Sequence, residues 1–293
     1  MSIVHENKFR TKGRDIHGMK YKIALIQADF PCGALASNLQ KAEKLIREAA
    51  RQDAKVICLP ESFNQGYGGA FIEELVRNSE PENGETLQKM MLLAKELEVY
   101  LIAPLFAREA DGECYNKAFL ISDGGEIVGS YSKSHLIDVE KGKFAAGDQY
   151  PVFDTKYGRI GILICNDLCF VETARMLGLQ GAEVIFVTAA WRYFEDSAHW
   201  WEQMLCGHAL NNQVFVAATN RIGPAEDYSF AGETMVVGPN GFVCRKLLFP
   251  EERVLVQEIC LEDIAKAKAD NIVIMQERKP GDYRALSEPV RCL

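Results

Sequence analysis

The sequence predicts an α/β fold in which two β-sheets lie between outer layers of helices, a four-layer α/β/β/α sandwich. Continuous apolar runs such as RIGILIC are typical of strands buried on both faces, and they alternate with amphipathic helices. Short antiparallel hairpins are interleaved with these βα units, and strands that are apolar on both faces must be covered by helices. No linker rich in proline, glycine or serine interrupts the body. We therefore expect a single domain over residues 20–293, including a C-terminal tail, after a disordered N-terminal extension over residues 1–19.

The first half of the chain begins with a strand over residues 21–30, YKIALIQADF. A helix is predicted over residues 37–52, because apolar residues recur there at helical spacing and because Ser37 and Gln40 have capping-box spacing. The next elements are a strand over 54–62, a helix over 85–98, a strand over 99–106 and two short strands joined by the turn Asp123-Gly124-Gly125.

The second half repeats this alternation. Its predicted elements are a strand over 160–164, a helix from about residue 170, the strand EVIFVTAAW, a helix over 197–212, the strand VFVAATN, a hairpin in TMVVGPNGFVCRK, the strand RVLVQEI and a short helix from Leu261.

Composition excludes several classes of function. The net charge of −8 over 293 residues argues against a surface that binds nucleic acid or an anionic membrane. The longest apolar runs are far shorter than the ~18 residues of a membrane span, and the polar, basic N-terminus has no signal-peptide core. Nine scattered cysteines without CxxC spacing indicate a reducing, cytoplasmic location. We expect no nucleic-acid or membrane partner.

Cys165 is the first candidate for chemistry. It ends a buried strand where the chain turns into a helix, so that free helix N–H groups could stabilise a thiolate and an oxyanion. A core cysteine is the alternative, since free cysteine is among the most buried residue types.

A thiol also needs a base or a nearby cation. Glu61 follows the strand VICLP, Lys133 follows EIVGSYS, and Glu140 lies in the loop DVEKGKF. Taken singly, each of these charged residues would ordinarily be a solvated side chain.

Four segments in order carry a resemblance to a known family. LPESF, YSKSHL, the Glu140 loop and ICND, with 72 residues from Glu61 to Lys133 and 32 from Lys133 to Cys165, resemble the signatures of the nitrilase superfamily of carbon–nitrogen hydrolases. Similar segments continue past Cys165, including the run from His199 to Asn211, AATNRIG, FAGET and a degraded Arg-Arg-Pro tail in ERKPGDY. The resemblance covers residues of about 20–285.

The resemblance implies an αββα sandwich of the carbon–nitrogen hydrolase type and a Glu–Lys–Cys centre with a second Glu. Glu61 would be the general base, Lys133 the cationic stabiliser, Glu140 the positioning acid and Cys165 the nucleophile. The backbone N–H of Asn166 would bind the oxyanion together with Lys133. No metal or other cofactor is expected. Relatives imply a homodimer or a larger homo-oligomer.

The substrate is expected to be a small amide, ureido or nitrile compound. An Asp two residues after the nucleophile, here Asp167, resembles the pattern of amidases and carbamoyl hydrolases. The His199-Trp200 and GHA pattern resembles the branch that acts on N-carbamoyl amines. An amide is therefore favoured, an N-carbamoyl amine is the alternative, and a nitrile remains a third. Trp191, Phe63 and Tyr67 are predicted to line the pocket, with core packing as the alternative for these aromatic residues.

Two other classes compete with a hydrolase. A binding protein on the same fold would have no reason to keep all four chemical residues. A cysteine-ligated redox or metal protein would be expected to show CxxC spacing, which the chain lacks.

Overall fold

Two β-sheets form the centre of the molecule, which is a computed structural model describing residues 18–270 and 275–288. The first sheet has the order β12-β1-β2-β3-β4-β5, in which β1, β2 and β3 are parallel and the other pairs are antiparallel. Its strands are β1 (Lys20–Gln27), β2 (Ala54–Cys58), β3 (Tyr100–Arg108), β4 (Cys114–Ile121), β5 (Ile127–Ser132) and β12 (Arg253–Cys260).

The second sheet repeats this pattern with the order β11-β10-β9-β8-β7-β6, and its three parallel strands are β7, β8 and β9. Its strands are β6 (Val152–Thr155), β7 (Gly158–Ile164), β8 (Val184–Ala189), β9 (Phe215–Asn220), β10 (Met235–Val237) and β11 (Val243–Lys246).

Helices cover the outer faces of both sheets. The helices of the described residues are α1 (Leu35–Arg51), α2 (Ile72–Arg77), α3 (Glu85–Leu97), α4 (Val171–Leu179), α5 (Ser197–Asn212) and α6 (Glu262–Asp270), with short 3-10 helices at Cys165–Cys169, Pro280–Asp282 and Arg284–Ser287. The apolar faces of α1 and α3 pack in one core with the first sheet, and those of α4 and α5 pack in another core with the second sheet.

Strand β1 shows how the layers stack. Its alternate residues Ala24 and Ile26 belong to the core beneath α1 and α3, whereas Ile23 and Leu25 belong to the core shared with the second sheet. Buried hydroxyls also join the sheets, since Thr188 Oγ1 of β8 donates a hydrogen bond of 2.8 Å to the carbonyl of Leu59. The predicted αββα sandwich is confirmed.

Several local predictions were wrong. Helix α1 begins at Leu35, and Ser37 donates to the Ala34 carbonyl at 3.0 Å, so the predicted capping box does not form. The strand expected to reach residue 62 ends at Cys58, because Pro60 cannot donate to a ladder and the chain turns there. Helix α2 and strand β6 were not predicted.

The remaining predictions concern the chain ends and membrane topology. The extension expected over residues 1–19 falls, for residues 1–17, outside the described residues, as do residues 271–274 and 289–293 of the expected tail. The single domain over residues 20–293 stays a prediction. In the described ranges we find no helix with both the length and the apolar character that a membrane crossing requires.

Candidate active site

The carboxyl ends of strands from both sheets meet at one place. Strand β5 runs in the same direction as β2, because two successive antiparallel pairings restore the direction of β3. Lys133 directly follows β5, and Glu61 lies three residues beyond the end of β2. Cys165 directly follows β7 of the second sheet. Strand topology therefore gathers side chains that are far apart along the chain.

Lys133 lies at the centre of this cluster. Its side chain is fully buried, and Nζ lies 3.0 Å from Oε1 of Glu61 and 2.9 Å from Oε2 of Glu140. Burial alone would lower the pKa of the Lys133 ammonium, but the two carboxylates outweigh burial and raise the pKa well above its usual value. Lys133 is therefore a fixed positive charge.

Glu61 is held at both of its carboxylate oxygens. Oε1 accepts hydrogen bonds from Lys133 and, at 2.7 Å, from Nδ2 of Asn116, while Oε2 accepts the backbone N–H of Ala190 at 2.7 Å. Ala190 follows β8, so the second sheet also helps to orient a carboxylate that belongs to the first.

Asn116 is a site residue that sequence reasoning missed. Its side-chain Nδ2 donates to both Glu61 and Glu140, at 2.7 and 2.9 Å. Its backbone carbonyl accepts a hydrogen bond from the backbone N–H of Lys133 at 2.9 Å. Glu140 also accepts the N–H of Ile137 at 2.9 Å. The available signal was an amide within the strand CYNKAFLI, where a fully buried polar group needs partners.

Cys165 is buried and has a φ of +46°, a left-handed conformation that is uncommon for a residue with a side chain. Burial raises the pKa of its thiol well above the usual value, and the charge of Glu61 raises it further, whereas Lys133 and the Ala190 N–H lower it. A raised pKa favours the protonated thiol over the thiolate. Its attack on a substrate requires a base.

A hydrogen-bonded support behind Cys165 fixes this turn. Asp167 is fully buried and accepts from the Tyr131 hydroxyl at 2.7 Å, from the Ile164 N–H at 3.1 Å, and from the backbone N–H of His135 at 2.9 Å. The ring Nδ1 of His135 lies 2.9 Å from the same carboxylate. Asp167 and His135 therefore bond to each other, and Asp167 ties the segment after β5 to the end of β7.

A cavity of about 370 Å³ opens at Cys165. Tyr67, Asn166 and Trp191 line it, as the sequence predicted, and Arg192 and Phe194 complete its mouth. Phe63 does not line this cavity. It is fully buried in the core beneath α1 and α3, where its ring packs edge-on against Phe30. Its prediction as a pocket residue is corrected, because the turn after Glu61, with Ser62 at a φ of +49°, directs Tyr67 toward the cavity instead.

A larger cavity of about 800 Å³ lies between α4, α5 and the segment near Tyr283. It contains none of the four predicted catalytic residues. We therefore assign chemistry to the smaller cavity, which holds the nucleophile candidate.

Comparison with known proteins decides the family. A family model described as carbon-nitrogen hydrolase matches residues 22–269. The chain belongs to the carbon–nitrogen hydrolase family. This carbon–nitrogen hydrolase is 33% identical over 271 residues to an omega-amidase, NIT2, from Homo sapiens, an alignment that covers 88% of this chain and 95% of the relative. It is also 33% identical over 293 residues to an N-carbamoylputrescine amidase from Arabidopsis thaliana, covering 93% of this chain and 97% of that one.

Solved structures agree with this assignment. A carbon–nitrogen hydrolase from Helicobacter pylori superposes with a TM-score of 0.84 at 26% identity, covering 93% of this chain and all of the other. The resemblance to the nitrilase superfamily is thereby confirmed, and the protein is a hydrolase of carbon–nitrogen bonds. The individual roles of Glu61, Lys133, Glu140 and Cys165 stay predictions.

Proposed function

We propose that this carbon–nitrogen hydrolase cleaves a small amide to a carboxylic acid and ammonia through a thioester on Cys165. The observation that carries the proposal is the buried cluster in which one ammonium, Lys133, is held between Glu61 and Glu140 beside the thiol of Cys165, whose pKa is raised by burial. Each group has a charge state suited to one task in acyl transfer.

Formation of the thioester begins with the thiol. Glu61 accepts the thiol proton as sulfur bonds to the amide carbon, and the carbonyl oxygen becomes an oxyanion. Lys133 and the backbone N–H of Asn166 stabilise that oxyanion. The proton held by Glu61 then passes to the nitrogen, the carbon–nitrogen bond breaks, and ammonia leaves.

Hydrolysis of the thioester reverses the proton transfers. A water molecule gives its proton to Glu61 and attacks the thioester carbon, after which the carbon–sulfur bond breaks and sulfur recovers a proton. Glu140 accepts from Lys133 and from the Ile137 N–H, and so keeps the ammonium in place throughout.

An N-carbamoyl amine is the second candidate substrate. The 33% identity to the N-carbamoylputrescine amidase supports it, and the same four residues could perform the reaction. The products separate the two candidates, since a ureido substrate would release carbon dioxide and an amine in addition to ammonia. A nitrile is a weaker third, and family membership opposes the alternative of a binding protein without activity.

Variants of Cys165 and Glu61 test the proposal. Cys165→Ala should abolish ammonia release from a panel of primary amides, and wild type supplied with hydroxylamine should form a hydroxamate from the trapped acyl group. The matched control is Cys58→Ala, which removes a fully buried thiol of β2 and should retain ammonia release. Retention of amide hydrolysis by Cys165→Ala would eliminate the proposal.

Glu61→Gln separates the base from the nucleophile. Loss of a general base should reduce hydrolysis by about 10²–10⁴-fold. Alkylation of Cys165 should become easier in this variant, whereas hydrolysis becomes slower. The reason is that the charge of Glu61 contributes to the raised pKa of the Cys165 thiol. Removing that charge should move the midpoint of the pH curve for iodoacetamide alkylation of Cys165 to lower pH. An unchanged or higher midpoint would contradict the assigned pairing of Glu61 with the thiol.

Assembly and location complete the proposal. The side chains of Val171, Met176 and Leu179 on α4 and of Trp200 and Leu210 on α5 are exposed, which supports a homodimer or a larger homo-oligomer formed through these helices. The eight cysteines in the described part of the chain are free thiols, which supports a reducing compartment such as the cytoplasm.

A further inference from the structure

Arg221 is a buried cation that takes no part in the proposed mechanism. It directly follows β9, and its side chain is almost completely shielded from solvent. Nη2 of its guanidinium donates a hydrogen bond to the carbonyl of Phe30, and the guanidinium carbon lies 4.7 Å from the centre of the Phe230 ring. A guanidinium is not deprotonated in proteins. The interior near the strand ends therefore holds a further positive charge in addition to that of Lys133.

The groups around Arg221 compensate its charge only in part. Among residues 18–270 and 275–288, its ion pair is formed with Asp29 at 3.6 Å, and the Asp29 side chain is partly exposed. Nε and Nη1 of Arg221 have no hydrogen-bond partner in the same residues. Burial lowers the pKa of Arg221, and the ionisable groups that act in the opposite direction are Cys32, Asp29, Glu61 and Tyr228. Glu61 is thus one of the charges that stabilise this buried cation.

Two hydrogen bonds between the sheets show how the strands next to Arg221 are stacked. Thr188 Oγ1 of β8 donates to the carbonyl of Leu59, just beyond β2, at 2.8 Å. Thr219 Oγ1 of β9 donates to the carbonyl of Ile26 in β1 at 2.6 Å. Strand β8 therefore lies over the end of β2, and its neighbour β9 lies over β1.

This stacking brings Arg221 beside Glu61. The backbone N–H of Arg221 donates to the carbonyl of Ala189 at 3.1 Å. The next residue, Ala190, donates its backbone N–H to Oε2 of Glu61 at 2.7 Å. Because paired strands lie ~4.8 Å apart, Arg221 is one strand spacing from the residue that holds Glu61, and the two charges are on the order of 10 Å apart.

The charges near Glu61 are unequal without Arg221. The ionisable groups that surround Glu61 in the described structure are Lys133, Glu140, Cys165, Tyr67 and Arg221. Burial raises the pKa of Tyr67 and of Cys165, which favours the neutral forms of both. Two carboxylates then face the single ammonium of Lys133. An uncompensated negative charge in the interior favours uptake of a proton, and the buried cation Arg221 opposes it.

We propose that Arg221 is a positioning residue of the hydrolase, whose buried positive charge keeps Glu61 in the carboxylate form that accepts the Cys165 proton. The inference rests on the proposed function, in which Glu61 is the general base. Arg221 does not line the cavity at Cys165, so it acts through Glu61 without contact with a substrate. Its removal should therefore change the pH at which the enzyme works more than the rate at the optimal pH.

The pH profile of kcat/KM tests the inference, measured on a primary amide that the wild type hydrolyses. Arg221→Met removes the charge and retains an unbranched side chain. Charges about 10 Å apart at an effective dielectric constant of ~20 shift a titration by about one unit. The acid limb should therefore move to higher pH by about one unit. At a pH on the wild-type acid limb, kcat/KM should fall about tenfold, with a change of less than about threefold on the plateau.

Arg221→Lys is the conservative variant, because it retains a positive charge and loses the planar fork. Its acid limb should stay within about 0.3 unit of the wild-type limb, since the effect depends on charge. A side chain needed only for packing or for its hydrogen bond to Phe30 would instead lower kcat/KM equally across the profile in both variants.

Arg159→Met is the matched control. Arg159 also has a buried Nε without a partner among the described residues, and it pairs with Asp154 at 3.4 Å. It lies near the start of β7, about 20 Å along the strand from Cys165. Its removal should leave the acid limb where it is in the wild type, because a charge at that distance is largely screened.

Urea unfolding shows whether each variant folds, and Asp29→Asn provides the test if Arg221→Met does not. It removes the partly exposed carboxylate paired with Arg221, so the acid limb should move to lower pH by about 0.3 unit.

The inference is overturned by an unmoved acid limb in folded Arg221→Met or by an equal fall of kcat/KM at every pH. If Arg221→Met does not fold, an acid limb in Asp29→Asn that stays in place or moves to higher pH overturns it. Both results leave the proposed amide hydrolysis intact. Failure of the wild type to hydrolyse any primary amide would instead remove the proposed function itself.

Discussion

Two regions of the candidate active site differ in how they are held: the buried cluster of Glu61, Lys133 and Glu140, called the base here, and the mouth of the cavity at Cys165. At the base, all four carboxylate oxygens of Glu61 and Glu140 accept hydrogen bonds, and the donors are Lys133, Asn116 and the backbone N–H groups of Ala190 and Ile137. At the mouth, Arg192 and Phe194 are exposed and lie in the loop between β8 and α5. The base is thus fixed before substrate arrives, as electrostatic stabilisation of a transition state requires. The mouth is a loop surface that can differ between relatives without disturbing the chemistry.

Removing Lys133 should be the most damaging change to the base. Lys133→Met leaves two buried carboxylates without their cation, which should destabilise the protein by about 3–5 kcal/mol. Loss of the oxyanion's cation should also lower kcat by about 10²–10³-fold in the fraction that folds. Urea unfolding measures the first effect, and ammonia release from a primary amide that the wild type hydrolyses measures the second.

The pH dependence and a control sharpen this prediction. The pKa of Lys133 is raised on folding, so its contribution to stability is complete below the unfolded value of about 10.4 and is lost only as pH rises through the folded value. The deficit of Lys133→Met should therefore be undiminished at neutral pH. Lys117→Met is the matched variant, since Lys117 is also a buried lysine but pairs with the partly exposed Glu82 and Glu109. Equal losses of stability and of kcat in the two variants would show that the cluster around Lys133 has no special role.

Asn116→Ala should have the next largest effect. It removes the amide donor that Glu61 and Glu140 share in addition to Lys133, and it frees Glu61 to move relative to the sulfur. A displacement of about 1 Å in a reacting group can reduce a rate by about 10²-fold. We expect kcat to fall by about 10–100-fold and stability to fall by about 1–3 kcal/mol. Steady-state assays and urea unfolding measure both.

Asn38→Ala is the control that distinguishes the effect of contact with the cluster from the effect of losing any buried asparagine. Asn38 of α1 is as buried as Asn116, but its amide donates to the carbonyls of Pro31 and Asn64, at 2.8 and 3.0 Å. This variant should lose a similar amount of stability with kcat near the wild-type value. A kcat for Asn116→Ala that matches that of Asn38→Ala would show that Asn116 is only a packing residue.

The same contrast explains what the sequence could predict. The base was predictable in large part because Glu61, Lys133 and Cys165 follow apolar strands, and the carboxyl ends of such strands converge in a layered α/β fold. The role of Asn116 was not predictable in this way. It depends on the pairing of β4 with β5, which places the backbone carbonyl of Asn116 against the backbone N–H of Lys133. No local pattern encodes that register.

Side-chain direction in turns was also beyond the sequence. Phe63 and Tyr67 were equivalent candidates, because both aromatic residues follow Glu61 within a few positions. Ser62, which follows Glu61 and precedes both aromatic residues, has a left-handed backbone conformation that changes the path of the chain. Phe63 therefore lies in the core and Tyr67 lines the cavity. A positive φ is rare at a serine, and a serine in the sequence does not predict it in the way that a glycine can.

The smallest expected effect lies on the wall of the cavity, at Trp191. Trp191→Phe removes an indole N–H that has no partner in the described structure, so the folded protein loses no hydrogen bond there. If the substrate is the partner, KM should rise by about 2–10-fold and by more than kcat falls. Trp201→Phe provides the opposite case, because its N–H donates to the Glu233 carbonyl at 3.0 Å and its loss should destabilise the fold by about 1–3 kcal/mol. Thermal unfolding and steady-state kinetics on a primary amide that the enzyme hydrolyses distinguish the two tryptophans. A stability loss in Trp191→Phe equal to that in Trp201→Phe, with KM unchanged, would mean that Trp191 belongs to the core and that its indole N–H does not bind the substrate.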